Sequence, residues 1–211
     1  MTDLYDRQKD LNLHIPSSAI IVGVGGTGSW VALLLVMSGV KQLTLMDSDR
    51  LELTNFNRLP LPVEGNIGDL KTEALARFLN LLRPDCYIIT EGRATGFTLS
   101  AVEGEVLFDC TDQQSTQRML KQWAQEHKIS YIRVGYDGTH VTISDRVPSW
   151  NSLDKERSGY AVFPSWSVPA ALAGCLGVAK AMYAPDIDVS ADIKTLGGKK
   201  RSEEVLFSIQ P

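Results

Sequence analysis

With 211 residues, 44% of them hydrophobic and 22% charged, the chain has the make-up of a folded domain with a substantial core, and not of a disordered polymer. A net charge of −4 gives it no broad basic field to recommend a nucleic acid as partner. The polar, acidic start from Met1 to Asp6 lacks the basic and apolar regions of a secretory signal, and the longest apolar run, Trp30 to Met37, is too short to cross a bilayer, so no membrane partner is expected.

Residues 1–16 read as a short N-terminal arm or helix ending at Pro16. Ala19 to Val22 is a β-branched, apolar run of the kind that forms a strand covered on both faces. It leads into Gly23-Val24-Gly25-Gly26-Thr27-Gly28 and then a helix from Thr27 to about Ser38. In such a turn Gly23 permits the tight bend, Gly25 lets phosphates approach the backbone, and Gly28 lets the helix pack close to the strand. The helix start then presents unpaired N–H groups to an anion, for which a nucleotide phosphate is the obvious candidate.

A second strand, Leu43 to Met46, ends at Asp47, about 20 residues beyond Gly28, where an acid meets ribose hydroxyls in folds of this kind. The polar loop from Ser48 to Arg58 carries Asp49, Asn55 and Arg58. Gly68-Asp69 opens a helix with Leu70, Ala74, Leu75, Phe78, Leu79 and Leu82 at helical spacing, closed by Arg83-Pro84. Lys71 lies in its first turn, where a cation opposes the helix dipole, so it is expected to face an anion.

Strands follow at Tyr87 to Thr90 and at Val106 to Asp109, the latter running into Cys110-Thr111-Asp112 at the carboxyl edge where ligands of open α/β sheets bind. Gln113 to Lys128 reads as a helix, Ser130 to Gly135 as a strand, and His140 to Ile143 as an antiparallel addition. Residues 145–164 lack periodicity and read as a lid or crossover loop, with Trp150 and Tyr160 placed to hold an extended tail. Ser165 to Tyr183 is an alanine- and glycine-rich helix expected to lie close to the sheet, and 188–210 read as a hairpin turning at Gly197-Gly198. The expected fold is a single three-layer, Rossmann-like α/β domain over 1–211, mostly parallel and extended by antiparallel strands on its C-terminal side.

The three cysteines, Cys86, Cys110 and Cys175, form no Cys-x-x-Cys pair, so reduced thiols in a cytoplasmic, zinc-free protein are expected. Cys110 at a strand end and Cys175 on an apolar helix read as core residues and not as nucleophiles.

Taken together, Tyr5-x-Arg7-Gln8, the glycine turn, Asp47-x-Asp49 with Asn55-x-x-Arg58, Lys71 at a helix start and Asp109-Cys110-Thr111-Asp112 resemble the ThiF/MoeB and ubiquitin-activating superfamily from Tyr5 to about Tyr183. That superfamily adenylates the C-terminal carboxylate of ubiquitin-like and sulfur-carrier proteins. The resemblance implies ATP and Mg²⁺ as cofactors, with Gly23, Gly25, Gly26 and Gly28 under the phosphates and Asp47 on the ribose. It implies that Asn55, Arg58 and Lys71 contact phosphates, that Asp112 binds Mg²⁺, and that Arg7 acts across a homodimer or heterodimer interface. Arg7 and Asn55 are equally readable as a tail residue and a loop residue, and Asp49 as a local pairing partner.

The chain departs from larger family members in lacking zinc cysteines and a catalytic cysteine, and Gln113 stands where Asn is common. The expected activity is therefore a compact bacterial adenylyltransferase whose chemistry ends at the acyl-adenylate of a carrier protein or peptide. The alternatives are a non-catalytic ThiF-like partner subunit and an NAD-dependent oxidoreductase, the latter sharing the glycine turn and Asp47 but needing neither Arg58, Lys71 nor Asp112.

Overall fold

A computed structural model describes residues 3–147 and 164–196. Strands β1 (Ser18–Val22), β2 (Gln42–Met46), β3 (Tyr87–Glu91), β4 (Val106–Asp109), β5 (Ser130–Asp137), β6 (His140–Ser144) and β7 (Val189–Asp192) form one seven-stranded sheet in the order β3-β2-β1-β4-β5-β6-β7. The first five are mutually parallel, and β6 and β7 add antiparallel at one side. This is the expected doubly wound α/β class, with the strand order reversing between β1 and β4.

Helices α1 (Gly26–Ser38), α2 (Lys71–Leu82), α3 (Gly96–Leu99), α4 (Gln114–His127), α5 (Ser167–Met182) and α6 (Ile193–Leu196) flank the sheet. Alternation along β1 decides the layers: Ala19 and Ile21 pack with α1, α2 and α5, while Ile20 and Val22 pack with α3 and α4. Both faces are thus covered, which is why the strand reads as an unbroken apolar run. Helix α5 packs on α1 and on β5, and a Cβ on Gly177 would stand 2.7 Å from Val134, so the close approach expected from its small residues is present.

Three local features were not in the sequence reading. Helix α3 is one turn held by a reciprocal capping pair between Thr95 and Thr98. Cys175 is exposed on the outer side of α5, which corrects its assignment to the core; Cys86 is buried and Cys110 half-buried. Of the segment 188–210, Val189–Asp192 pairs with β6 and runs into α6, whereas the expected second arm, Glu203 to Ile209, and the Gly197-Gly198 turn lie outside the described residues. So do Trp150 and Tyr160. No helix among the described residues is long and apolar enough to cross a membrane.

The N-terminal arm is the 3-10 helix Asp6–Leu11, pinned to the C-terminal end of α1. The Tyr5 ring stacks on Gly39 and beneath Arg83, and Gln8 Nε2 donates to the Ser38 carbonyl at 2.8 Å.

Candidate functional site

The turn from β1 into α1 lies at the carboxyl edge, at the point where the strand order reverses. Gly23 bends with φ of 85°, and a Cβ there would stand 2.9 Å from the Cys110 carbonyl oxygen, so the turn rests directly on the end of β4. Gly28 faces the Gly23 carbonyl so closely that a Cβ would come within 1.9 Å of it. These two glycines bring the helix start down onto the strand. Among the described residues Gly25 caps α1 without any side-chain partner, and nothing lies within 4 Å of its Cβ position. The start of α1 is thus uncapped, among those same residues, beside an open Gly25, the kind of place where an anion can be received.

Gly26 is covered by Arg58, whose Cδ lies 3.1 Å from the Gly26 Cβ position, and by the Tyr136 hydroxyl at 3.0 Å. Arg58 is held there by its backbone and its head group. Its carbonyl accepts from Trp30 Nε1 of α1 at 3.0 Å, and its Nη1 donates to the Thr54 carbonyl at 2.8 Å. The loop that carries it is shaped by a capping box between Glu52 and Asn55, with Asn55 Oδ1 accepting from the Glu52 N–H at 3.2 Å. Asn55 is buried, so its carbonyl oxygen is committed to loop structure.

Asp47 ties the next part of the loop to the glycine turn. Its Oδ2 accepts from the Val24 N–H and its Oδ1 from the Asp49 N–H, both at 2.8 Å. Asp49 Oδ2 meets Lys71 Nζ at 2.7 Å, and its carbonyl accepts the Lys71 N–H at 3.0 Å. The anion that Lys71 faces at the start of α2 is thus a carboxylate of the chain itself. The Lys71 side chain is 12% exposed and that of Asp49 66%, so the cation is largely buried while its partner faces solvent.

On the other side, Asp112 is exposed in the turn between β4 and α4. The preceding residue, Thr111, has its N atom 3.3 Å from the Gly23 Cβ position. Beneath it Asp109 is fully buried, and burial pushes its carboxyl above the usual range against the opposing hydrogen bonds from Tyr131 and Thr111. Burial also pushes the Cys110 thiol well up, which makes it a poor nucleophile at neutral pH.

The fold therefore gathers Gly23, Gly25, Gly26, Gly28, Asp47, Asp49, Arg58 and Lys71 into one contiguous network, with the Asp112 turn against Gly23. It does not bring Arg7 there. Arg7 is exposed on the arm at the C-terminal end of α1, whereas the crevice is at its N-terminus. Tyr136, whose hydroxyl bonds to the Ser165 hydroxyl, belongs to the rim and was missed because a tyrosine near a strand end has no distinguishing spacing. Oxygen ligands and phosphates suit Mg²⁺, and a carboxylate such as Asp112 at the crevice edge fits that donor set.

The sequence model of the ThiF family matches residues 6–158. The chain belongs to the ThiF family. Members of the ThiF family are ATP-dependent adenylating enzymes. This ThiF-family chain is 31% identical over 137 residues to the tRNA threonylcarbamoyladenosine dehydratase of Haemophilus influenzae, covering 59% of this chain and 51% of that protein. It is 36% identical over 110 residues to the adenylyltransferase and sulfurtransferase MOCS3 of Drosophila willistoni, covering 49% and 23% respectively. The chain spans about half the length of the first of these relatives. Among solved structures, E. coli MccB with succinimide superposes with a TM-score of 0.75 at 19% identity, over 91% of this chain and 69% of that one, and shows a shared fold.

Proposed function

We propose that this chain is an adenylyltransferase that uses ATP to activate the C-terminal carboxylate of a ubiquitin-like or sulfur-carrier protein, or of a peptide, as an acyl-adenylate. The observation that carries the reading is the open cradle above Gly25, flanked by Arg58 lying on Gly26 and by Lys71, which reaches the same turn through Asp49 and Asp47. In this reaction a carboxylate oxygen attacks the α-phosphorus and the bond to the pyrophosphate oxygen breaks. Negative charge accumulates on the transferring and departing phosphates, and preorganised cations and N–H groups at that place lower the barrier.

Each residue then has a part that its position suits. The uncapped N–H groups of α1 receive a phosphate, and Asp47, at the end of β2, is placed for the ribose. Arg58 and Lys71 offset the charge of the phosphates; Asn55 supports them by shaping the Arg58 loop. Asp112 would hold Mg²⁺, which when bound neutralises charge on the phosphates and the departing pyrophosphate. Arg7 joins the site of a second subunit. The names of relatives support an adenylating reaction: MOCS3 is named an adenylyltransferase and sulfurtransferase, and MccB has been solved with ATP and with MccA.

A second reading is favoured by the identity to the dehydratase, whose name makes a modified tRNA nucleoside its substrate. The net charge of −4 weighs against a nucleic-acid partner. The test is ATP–pyrophosphate exchange with small proteins and peptides encoded beside this chain, and in parallel with threonylcarbamoyladenosine-bearing tRNA. Arg58→Ala and Asp112→Ala are each expected to cut exchange by about a hundredfold or more without unfolding the protein. Near-normal exchange in either variant refutes the site assignment, and exchange stimulated by the tRNA alone replaces the carrier reading with the second one.

A further inference from the structure

We infer that Asp109 is the positioning residue for Asp112: its buried carboxylate fixes the Thr111 turn from which Asp112 projects toward the metal and phosphates. The inference rests on the proposed ATP site and deepens it.

Asp109 ends β4 and is fully buried. Its Oδ1 accepts from both donors of Thr111, the N–H at 3.0 Å and the hydroxyl at 2.8 Å. Its Oδ2 accepts from the Tyr131 hydroxyl of β5 at 2.6 Å. The Thr111 carbonyl in turn accepts from Nε2 of the buried Gln117 on α4 at 2.7 Å. From the opposite side Cys110 is clamped by the glycine turn, since its N–H donates to the Val22 carbonyl at 2.9 Å and its own carbonyl abuts Gly23.

Residues 110–111 are thus held by β1, β5 and α4 together, and Asp112 is the first exposed residue after them. A carboxylate is a costly device for filling a core position, because burial disfavours its charge and an apolar side chain of similar size would avoid that cost. What the carboxylate does here that an apolar group could not is accept two donors from one residue and a third from the neighbouring strand. That freezes the backbone immediately before the metal carboxylate. Arg133, opposite Asp109 in the β4–β5 register, adds a compensating positive charge, and its buried Nε has no hydrogen-bond partner among the described residues. Groups that orient a metal-binding residue without touching the metal commonly account for about ten- to a hundredfold in metal affinity.

The test is calorimetric titration of the whole chain with ATP, once in excess Mg²⁺ and once in EDTA, with thermal unfolding of every variant recorded alongside. Asp109→Ala and Asp112→Ala are each expected to weaken binding about tenfold in Mg²⁺ and to leave binding in EDTA unchanged. The double variant should bind no more weakly than Asp112→Ala alone, since both changes remove one unit of function. Asp109→Asn, which keeps an Oδ1 acceptor for Thr111, should restore most of the loss. Should Asp109→Ala fail to fold, Thr111→Val removes one of the two donors and is expected to give a smaller loss, about threefold, again only in Mg²⁺. Equal weakening in both buffers, or additive losses in the double variant, overturns the inference. A wild-type chain that binds ATP in neither buffer overturns the nucleotide site itself and this inference with it.

Discussion

At the scale of single residues, glycines of the same turn do opposite jobs, and the difference is steric. A methyl group on Gly28 would collide with the Gly23 carbonyl at 1.9 Å, backbone against backbone, with no flexible side chain to yield. Gly28→Ala is therefore expected to destabilise the protein by about 2 kcal/mol or more, read as a fall in the midpoint of chemical unfolding. Gly25 has a negative φ of −75°, and none of the described residues comes near its Cβ position. Gly25→Ala should change stability by no more than about 0.5 kcal/mol while weakening ATP binding at least tenfold in calorimetry, because the new methyl occupies the cradle and not the core. A Gly25→Ala variant that unfolds as early as Gly28→Ala would mean that both glycines serve packing alone.

Among the elements, helix α5 shows how an apolar helix is ended. Lys180 in its last turn is 6% exposed, yet its three donors are satisfied by the Pro185 and Ile187 carbonyls at 2.7 and 2.8 Å and by Asp188 Oδ1 at 3.2 Å. The chain leaving α5 is thereby folded back to start β7. Partial burial pulls the Asp188 carboxyl upward, but the hydrogen bonds from Lys180 and Ser144 outweigh it and hold the group below the usual carboxylate range. A lowered folded-state value means that the stabilisation is complete above the ordinary carboxylate pKa and is lost as pH falls through the lowered one. Asp188→Asn should lower the thermal midpoint by roughly 2 °C at neutral pH, and the gap should close as pH falls below the ordinary carboxylate range. A gap that persists unchanged in acid would assign the loss to shape and not to charge.

For the whole molecule, the distribution of the motifs matters more than any one of them. Tyr5 and Gln8 fasten the arm to the far end of α1, and its thirteen residues, at about 1.5 Å each, separate Arg7 from the glycine turn by roughly 20 Å. A crevice completed by Arg7 must then be completed by another copy or by a related subunit. If two identical copies share their sites, an equal mixture of Arg7→Ala and Asp112→Ala chains, each inactive alone, should recover about a quarter of wild-type pyrophosphate exchange. Half of the randomly formed dimers are mixed, and each of those carries one intact site. Absence of any recovery in a mixture that demonstrably exchanges subunits would remove Arg7 from the site.

The sequence by itself determined the order and kind of the main elements, the both-faces-buried sheet, the glycine turn and the acid after the second strand. These follow from periodicity and from glycine stereochemistry, both of which act over a few residues and are written in local spacing. Tertiary structure decided the rest. That Lys71 pairs with Asp49, that Arg58 lies back on Gly26, and that the Asp109 carboxylate accepts from Thr111 before Asp112 all depend on which loops the sheet order brings together. The exposure of Cys175 was illegible for a related reason, since a helix apolar on every side carries no periodic mark of which face meets water. Local chemistry writes the elements; only their mutual placement, fixed by which apolar faces must be covered, chooses the partners of each charged side chain.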